Sequence, residues 1–593
     1  MVKRAALYIG ILAFALALLL FFGAGQASAE DVSGDITVDT VWKSDKVYNV
    51  TGDVNLTEGV TLTIEKNVTV VFQGNYALNV FGNLVINGAE DNWTTFSLNE
   101  SAAVNWHGIT FYEGAGGSVS YLSVTGASYP LAYYNTTDGP SMSSVVLDGG
   151  DTAVSYDFFG DVRQDIVLTI SGLEIVRVQD AFQVENTNGS LDVTLDGLVV
   201  NNTLGIGEFN AHAWGDDGRI DMTISGCEFL NGVFDGMEIS GDVLGDVEIV
   251  DTVFSHIGAV PVESFLIWEP PFIMEMYGGL SGTSFTLDGV SVDNVSAGFS
   301  YVVASGDVVL TVNNCSFDNV YGDAIHVEGD TVSSITVTDS EFMGVGGTTI
   351  SSTAQSGNTT IVFTGVEMEM VGSGLVSQVD FGNIDLTMTG SHLSGSDVMV
   401  YLTVNSNTLD TGFVTTDIVG SSFMEADAAM MVWCVELSPV LMVDTEFVNI
   451  SMYAMYFDVR ENDVSLAFEN VTMVNVTIGV YAYANDGGME LEFSGSHVNT
   501  NFVGAMVEVS ALTEYQLSML NVTVMDSVFE GGEFGIWATS VNGGVVMVHS
   551  SQFLGQSEVG FTYDSLYGEV DMDVVDSVFD GSSSEVAGTV YVV

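Results

Sequence analysis

Basic residues are nearly missing from this chain of 593 residues, with 9 Lys and Arg against 78 Asp and Glu and a formal charge of −69. A field of that sign repels phosphate backbones, which argues against nucleic acid as a partner. It also repels anionic polysaccharides unless divalent cations bridge the two, and Ca2+ is the cofactor that rows of carboxylates would hold. The plainer meaning of the charge is solubility in salt, where screening shortens to a few ångströms. Cysteine is scarce as well. Three cysteines cannot close a disulfide framework. Cys227 and Cys315 lie three repeats apart in the pattern described below, which sets them about 14 Å from one another, beyond bridging reach. Three free and mostly buried thiols are expected. Proline occurs six times, and half of these, Pro261, Pro270 and Pro271, fall in one stretch.

What is present begins with a leader. Lys3 and Arg4 precede an apolar run from Ala5 to Phe22, and Ala27-Ser28-Ala29 follows. This is the form of a cleaved secretory signal over residues 1–29, with an uncleaved membrane anchor as the rival. No later segment is apolar enough to span a bilayer. The location expected is secreted or cell-surface.

One eight-residue phrase recurs sixteen times between residues 168 and 579. Copies include LTISGLEI (168–175), MTISGCEF (222–229), LTVNNCSF (310–317), ITVTDSEF (335–342) and MDVVDSVF (572–579), and eleven of the fifteen intervals are 24 to 26 residues. A fixed period of that size marks a solenoid. Positions 3 and 8 are apolar in every copy, such as Ile224, Val312 and Phe493 at position 3 and Phe229, Phe317 and Phe529 at position 8. Position 5 is Gly, Asn, Asp or Ser throughout. The first three are the residues that tolerate left-handed backbone angles, so the spacing predicts a sharp bend there between two short strands.

The alternation around the bend has period 2, which disfavours helical repeats. About eight to eleven residues downstream comes a further strand opened by a small residue, as in Ala324-Ile325-His326-Val327 and Gly535-Ile536-Trp537-Ala538. Three strands and three bends per coil make an all-β parallel β-helix of about 20 coils of about 25 residues, with a continuous core about 100 Å long. On these residues, and on Val54 to Ile64 and Trp106 to Phe111 as opening coils, the chain resembles the right-handed parallel β-helix, or pectin-lyase-like, superfamily, particularly secreted archaeal and bacterial surface proteins. The organisation expected is capping and opening coils over 30–125 and a repetitive helix over 126–593. A loop insertion is expected at 255–284. Ala587 to Val593 reads as one more strand without a polar cap, the mark of a truncated product or of an edge that makes end-to-end contact with another subunit.

The resemblance is specific for fold and unspecific for activity. The enzymes of the superfamily that cleave acidic polysaccharides use an Arg or Lys base with calcium-binding carboxylates. Here only Arg219, beside Asp216-Asp217 and near His212, keeps such company, and these four residues are weak candidates for a catalytic site on a groove beside the 255–284 loop. A stronger signal is the outward row of the strands opened by Gly or Ala. In period-2 logic Met431 and Trp433, Tyr456 and Asp458, Tyr481 and Tyr483, Met506 and Glu508, Trp537 and Thr539, and Thr562 and Asp564 face away from the core on six consecutive coils. Aromatic rings stack sugars, and such a row suits an extended glycan. It equally suits another surface protein. The carboxyls on alternate coils also approach the separation of an inverting glycosidase.

Fifteen Asn-x-Ser/Thr sequons occur, among them Asn49, Asn67, Asn135, Asn294, Asn358, Asn449, Asn475 and Asn521, which are expected glycosylation sites of a secreted chain. The function expected is a structural, adhesive or glycan-binding solenoid without catalysis. The alternative is a polysaccharide hydrolase or lyase.

Overall fold

The computed structural model describes residues 28–580 apart from 45, 103, 160–162, 204–208, 214–217, 233–236, 259–271, 396, 406–411, 461–462 and 511–517. It is an all-β parallel solenoid of about 20 turns with about 25 residues between stacked strands. Two compact units divide the chain, one ending at Ala153 and one beginning at Val154.

A coil of the second unit shows the construction. Strand Phe413–Val419 leads into Ser422–Met424 and then Ala428–Cys434, and the next coil repeats this with Glu436–Val443, Glu446–Val448 and Tyr453–Val459. Stacking is parallel and in register, with Val419 beside Val443, Phe423 beside Phe447 and Met431 beside Tyr456. Each strand buries alternate side chains, so no single coil could enclose its own interior and the core exists only because coils stack.

The expected bend is present in all sixteen copies, with φ at position 5 between 47° and 70°. A second bend, five residues further on, was not legible from the phrase. Arg177, Asn202, Asn231, His256, Asn294, Asn319, Gly344, Met370, Glu425, Asn449 and Asn475 all take φ between 53° and 64° there. Arginine, methionine and glutamate seldom adopt that conformation, so the row lacks a uniform residue type to reveal it.

Position 6 of the phrase holds an interior hydroxyl ladder that sequence reasoning also missed. Ser527 Oγ accepts the Ser496 N–H at 3.1 Å and donates to the Met525 carbonyl at 2.7 Å. Ser551 repeats both bonds, accepting from Ser527 N–H at 3.2 Å and donating to the His549 carbonyl at 2.8 Å. Where the ladder runs, the N–H that follows the bend points into the core, and the hydroxyl from the next coil satisfies it. Cys227 and Cys315 stand in the same slot, their N–H groups taken by Thr252 Oγ1 and Ser340 Oγ. With Cys434 they are free and buried, as expected. Burial pushes all three thiols up, Cys315 to about 11.

Position 8 forms an inner phenyl ladder. Phe229–Phe254, Phe317–Phe342, Phe423–Phe447, Phe529–Phe553 and Phe553–Phe579 stack at centroid distances of 4.8 to 5.1 Å with planes within 14°. The final copy differs from the rest, since Val574 is 39 % exposed where the other position-3 residues are buried. In the first unit Phe72 lies flat on Trp106 inside, and Trp42 on Tyr48.

Of the stretch expected to leave the coil at 255–284, residues 259–271 lie outside the described residues. Phe272–Asp288 is a strand of the wall, in register with Met237–Val250 and Ala297–Val303, and Met274 and Met276 point inward. Residues 1–27 of the expected signal and the terminal Ala587 to Val593 also lie outside, while Ser28 and Ala29 open the strand Ser28–Ile36. Among the described residues no helix is long and apolar enough to cross a membrane.

Candidate ligand-binding surface

In several coils the third strand opens on glycine because the neighbouring backbone leaves no room for a Cβ. A Cβ on Gly504 would sit 2.4 Å from the Gly535 carbonyl oxygen, and one on Gly535 would sit 2.2 Å from that of Gly560. Fixing the start of the strand fixes which residues face outward. Two outward rows result. One runs Tyr401, Met431, Tyr456, Tyr481, Met506, Trp537, Thr562, and the other runs Thr403, Trp433, Asp458, Tyr483, Glu508, Thr539, Asp564, every step a register pair between adjacent coils.

The rings do not stand apart. Tyr456 and Tyr481 stack at 5.1 Å and 6°, Trp433 covers Tyr456 at 5.5 Å, and Tyr453 meets both tyrosines edge-on. Trp537 leans on Phe534 at 4.9 Å. Because the tyrosine faces cover one another, their edges and hydroxyls are what remains for a ligand, and packing holds them in place before anything binds. Trp433 is 36 % exposed, while Tyr456, Tyr481, Tyr483, Met506 and Trp537 are half-buried. Thr562, expected outside, is only 9 % exposed beside Trp537, and Thr403 is 8 % exposed beside Trp433. The Thr403 hydroxyl has no hydrogen-bond partner.

Asp458, Glu508 and Asp564 occupy one row on alternate coils, separated by Tyr483 and Thr539. Their field is felt by the rings. Burial and then Asp458 push the Tyr456 phenol up, and burial and then Glu508 do the same for Tyr481.

The weak catalytic candidates are arranged differently. Asp216 and Asp217 lie outside the described residues. His212 stands in the third-strand row, its Nδ1 2.5 Å from Ser240 Oγ. Arg219 opens the next strand and is held by Asp221 through Nε at 2.7 Å and Nη2 at 2.5 Å, with Asp246 at 3.5 Å. The Asp221 hydrogen bonds push the guanidinium pKa further up, which is the wrong direction for a base. His212 thus meets Ser240, and Arg219 meets Asp221 and Asp246. No three His, Cys, Asp or Glu side chains among the described residues are grouped to share a metal ion.

Backbone geometry accounts for several sequons. Asn67, Asn135, Asn294, Asn449 and Asn475 all adopt φ between 49° and 59°, where asparagine is tolerated for its short polar side chain. Asn475 donates to Asn449 Oδ1 at 2.9 Å and Asn49 to Asp31 Oδ1 at 3.2 Å. Asn358 is exposed and Asn521 half-buried. A further exposed stack, missed in the sequence, is Phe81–Tyr112 at 4.3 Å with Tyr134 beyond it. Phe81 and Tyr112 each follow a strand directly, Ala77–Val80 and Trp106–Phe111, and Tyr134 ends Ala127–Tyr134.

Fold and surface define a parallel β-solenoid that carries an aromatic and acidic outward row. Comparison with known proteins adds no family to that class, since no family model matches the chain and no curated protein matches it.

Proposed function

We propose that the protein is a secreted or cell-surface β-helix of the pectin-lyase-like kind, with a structural or adhesive role, that binds an extended glycan along the third-strand rows without catalysis. The observation that carries this reading is the pair of outward rows itself. Rings pre-ordered by stacking lie beside carboxylates over six consecutive coils, a linear array of apolar edges and hydrogen-bond acceptors matched to a linear ligand. The tie between Arg219 and Asp221 removes support from the hydrolase or lyase alternative.

A glycan array probed with the chain lacking its leader tests the proposal. Retention of extended oligosaccharides, reduced by Trp537→Ala, is the expected result. An array with no retained glycan overturns it and leaves a protein partner for the same surface.

A further inference from the structure

The ribbon carries more chemistry than its rings. Asp458, Glu508 and Asp564 recur every second coil in one row, and each is half-buried. None has a hydrogen bond or an ion pair with another described residue. No lysine or arginine stands in either row from Tyr401 to Asp564, and the chain as a whole carries −69. At the head of the same row the Thr403 hydroxyl, 8 % exposed, is left without a partner beside Trp433. Arg460 follows Asp458 by two residues outside the row, and carboxylates without a hydrogen bond or ion pair, set among apolar rings, gain most from a ligand that brings positive charge.

The spacing narrows the class. Coils rise about 4.8 Å, so the carboxylates repeat at about 9.6 Å. A β-1,4-linked sugar chain turns each residue over relative to the last, and the rise per residue is close to one coil. Substituents on one side of such a chain therefore recur every second residue, as the carboxylates do. An extended peptide alternates side chains at about 6.6 Å and loses register within two steps. We infer that the ligand of this surface is a cationic glycan, a β-1,4-linked polymer of free amino sugars whose ammonium groups on one side meet Asp458, Glu508 and Asp564 in turn. The inference rests on the glycan-binding reading above and adds the charge and linkage that the surface selects.

Isothermal titration of the chain with a β-1,4-glucosamine hexamer, its N-acetylated form, a neutral β-1,4-glucan hexamer and a proline-spaced lysine peptide tests it. The peptide is included because a polyproline helix repeats at about 9.3 Å. The expected result is binding of the free amino sugar about ten-fold or more tighter than its acetylated form, weakened by salt and reduced to the acetylated level in the D458N/E508Q variant. Equal binding of the amino, acetylated and neutral hexamers overturns the charge assignment and leaves glycan binding standing. A lysine peptide that binds as tightly as the amino sugar overturns the assignment to a sugar. Failure of every hexamer overturns both readings.

Discussion

Two ladders of rings run through the second unit with nearly the same geometry and opposite surroundings. Inside, Phe423 and Phe447 stack at 5.1 Å and 7°. Outside, Tyr456 and Tyr481 stack at 5.1 Å and 6°. The common spacing is the rise of the coil, so stacking by itself marks neither core nor site. What separates them is company. The phenyl ladder is sealed from water among aliphatic side chains, whereas the tyrosine ladder is half-buried and shares its sheet with Asp458 and Glu508. Removing a ring should therefore act on stability in one case and on recognition in the other.

The sharpest way to break this comparison is to remove one ring from each ladder. Phe447→Ala empties a fully buried position and should cost about 3–5 kcal/mol in denaturant unfolding, while Tyr481→Ala should cost less than about 1 kcal/mol. Equal costs would mean that the outer ladder is structural. A smaller effect is expected at the interior hydroxyls. Ser527→Ala strands the Ser496 N–H in a dry core and should cost about 1–3 kcal/mol by the same measurement. Ser465→Ala on the outward face, which breaks no such bond, should stay within about 0.5 kcal/mol.

The bends offer a comparison at the backbone level. Asp339 sits at φ 47°. Asp339→Val should cost about 1–3 kcal/mol in thermal unfolding through strain, and Asp339→Gly a few tenths or less. If the two variants behave alike, the left-handed bend is not what selects the residue.

The smallest effect concerns pH. Asp157 is half-buried, and burial raises its pKa, with the Ser155 hydrogen bond opposing. The folded state then holds this proton more tightly than the unfolded state, so the residue costs stability as pH rises above the ordinary aspartate value of about 3.9. Asp157→Asn should raise stability at neutral pH by less than about 1 kcal/mol, and the gain should vanish below pH about 4. A gain that persists at low pH would assign the effect to packing.

The legible features share one cause. Position 5 selects Gly, Asn, Asp or Ser in every copy, and positions 3 and 8 are always apolar, so a period of 24 to 26 residues stands out and the coil follows. The second bend was hidden because Arg177, His256, Met370 and Glu425 accept it under pressure from the stacked coils rather than by preference. The serine ladder was hidden for a related reason, since its hydroxyls serve the N–H of another coil, about 25 residues away, and no local pattern reports that. The outward residues of the third strand were legible from alternation, but not that their rings would spend their faces on one another.

By itself the sequence determined the repeat, its bends, the apolar lining and the sign of the surface charge, because each depends on residue type at a fixed spacing within one coil. The tertiary structure decided which residue of one coil lies against which of the next. That register alone stacks Tyr456 on Tyr481, brings Asp246 to Arg219, leaves the Thr403 hydroxyl without a partner and lines up Asp458, Glu508 and Asp564 on alternate coils. Such contacts join residues tens of positions apart, and only the closing of each coil on its neighbour brings them within reach.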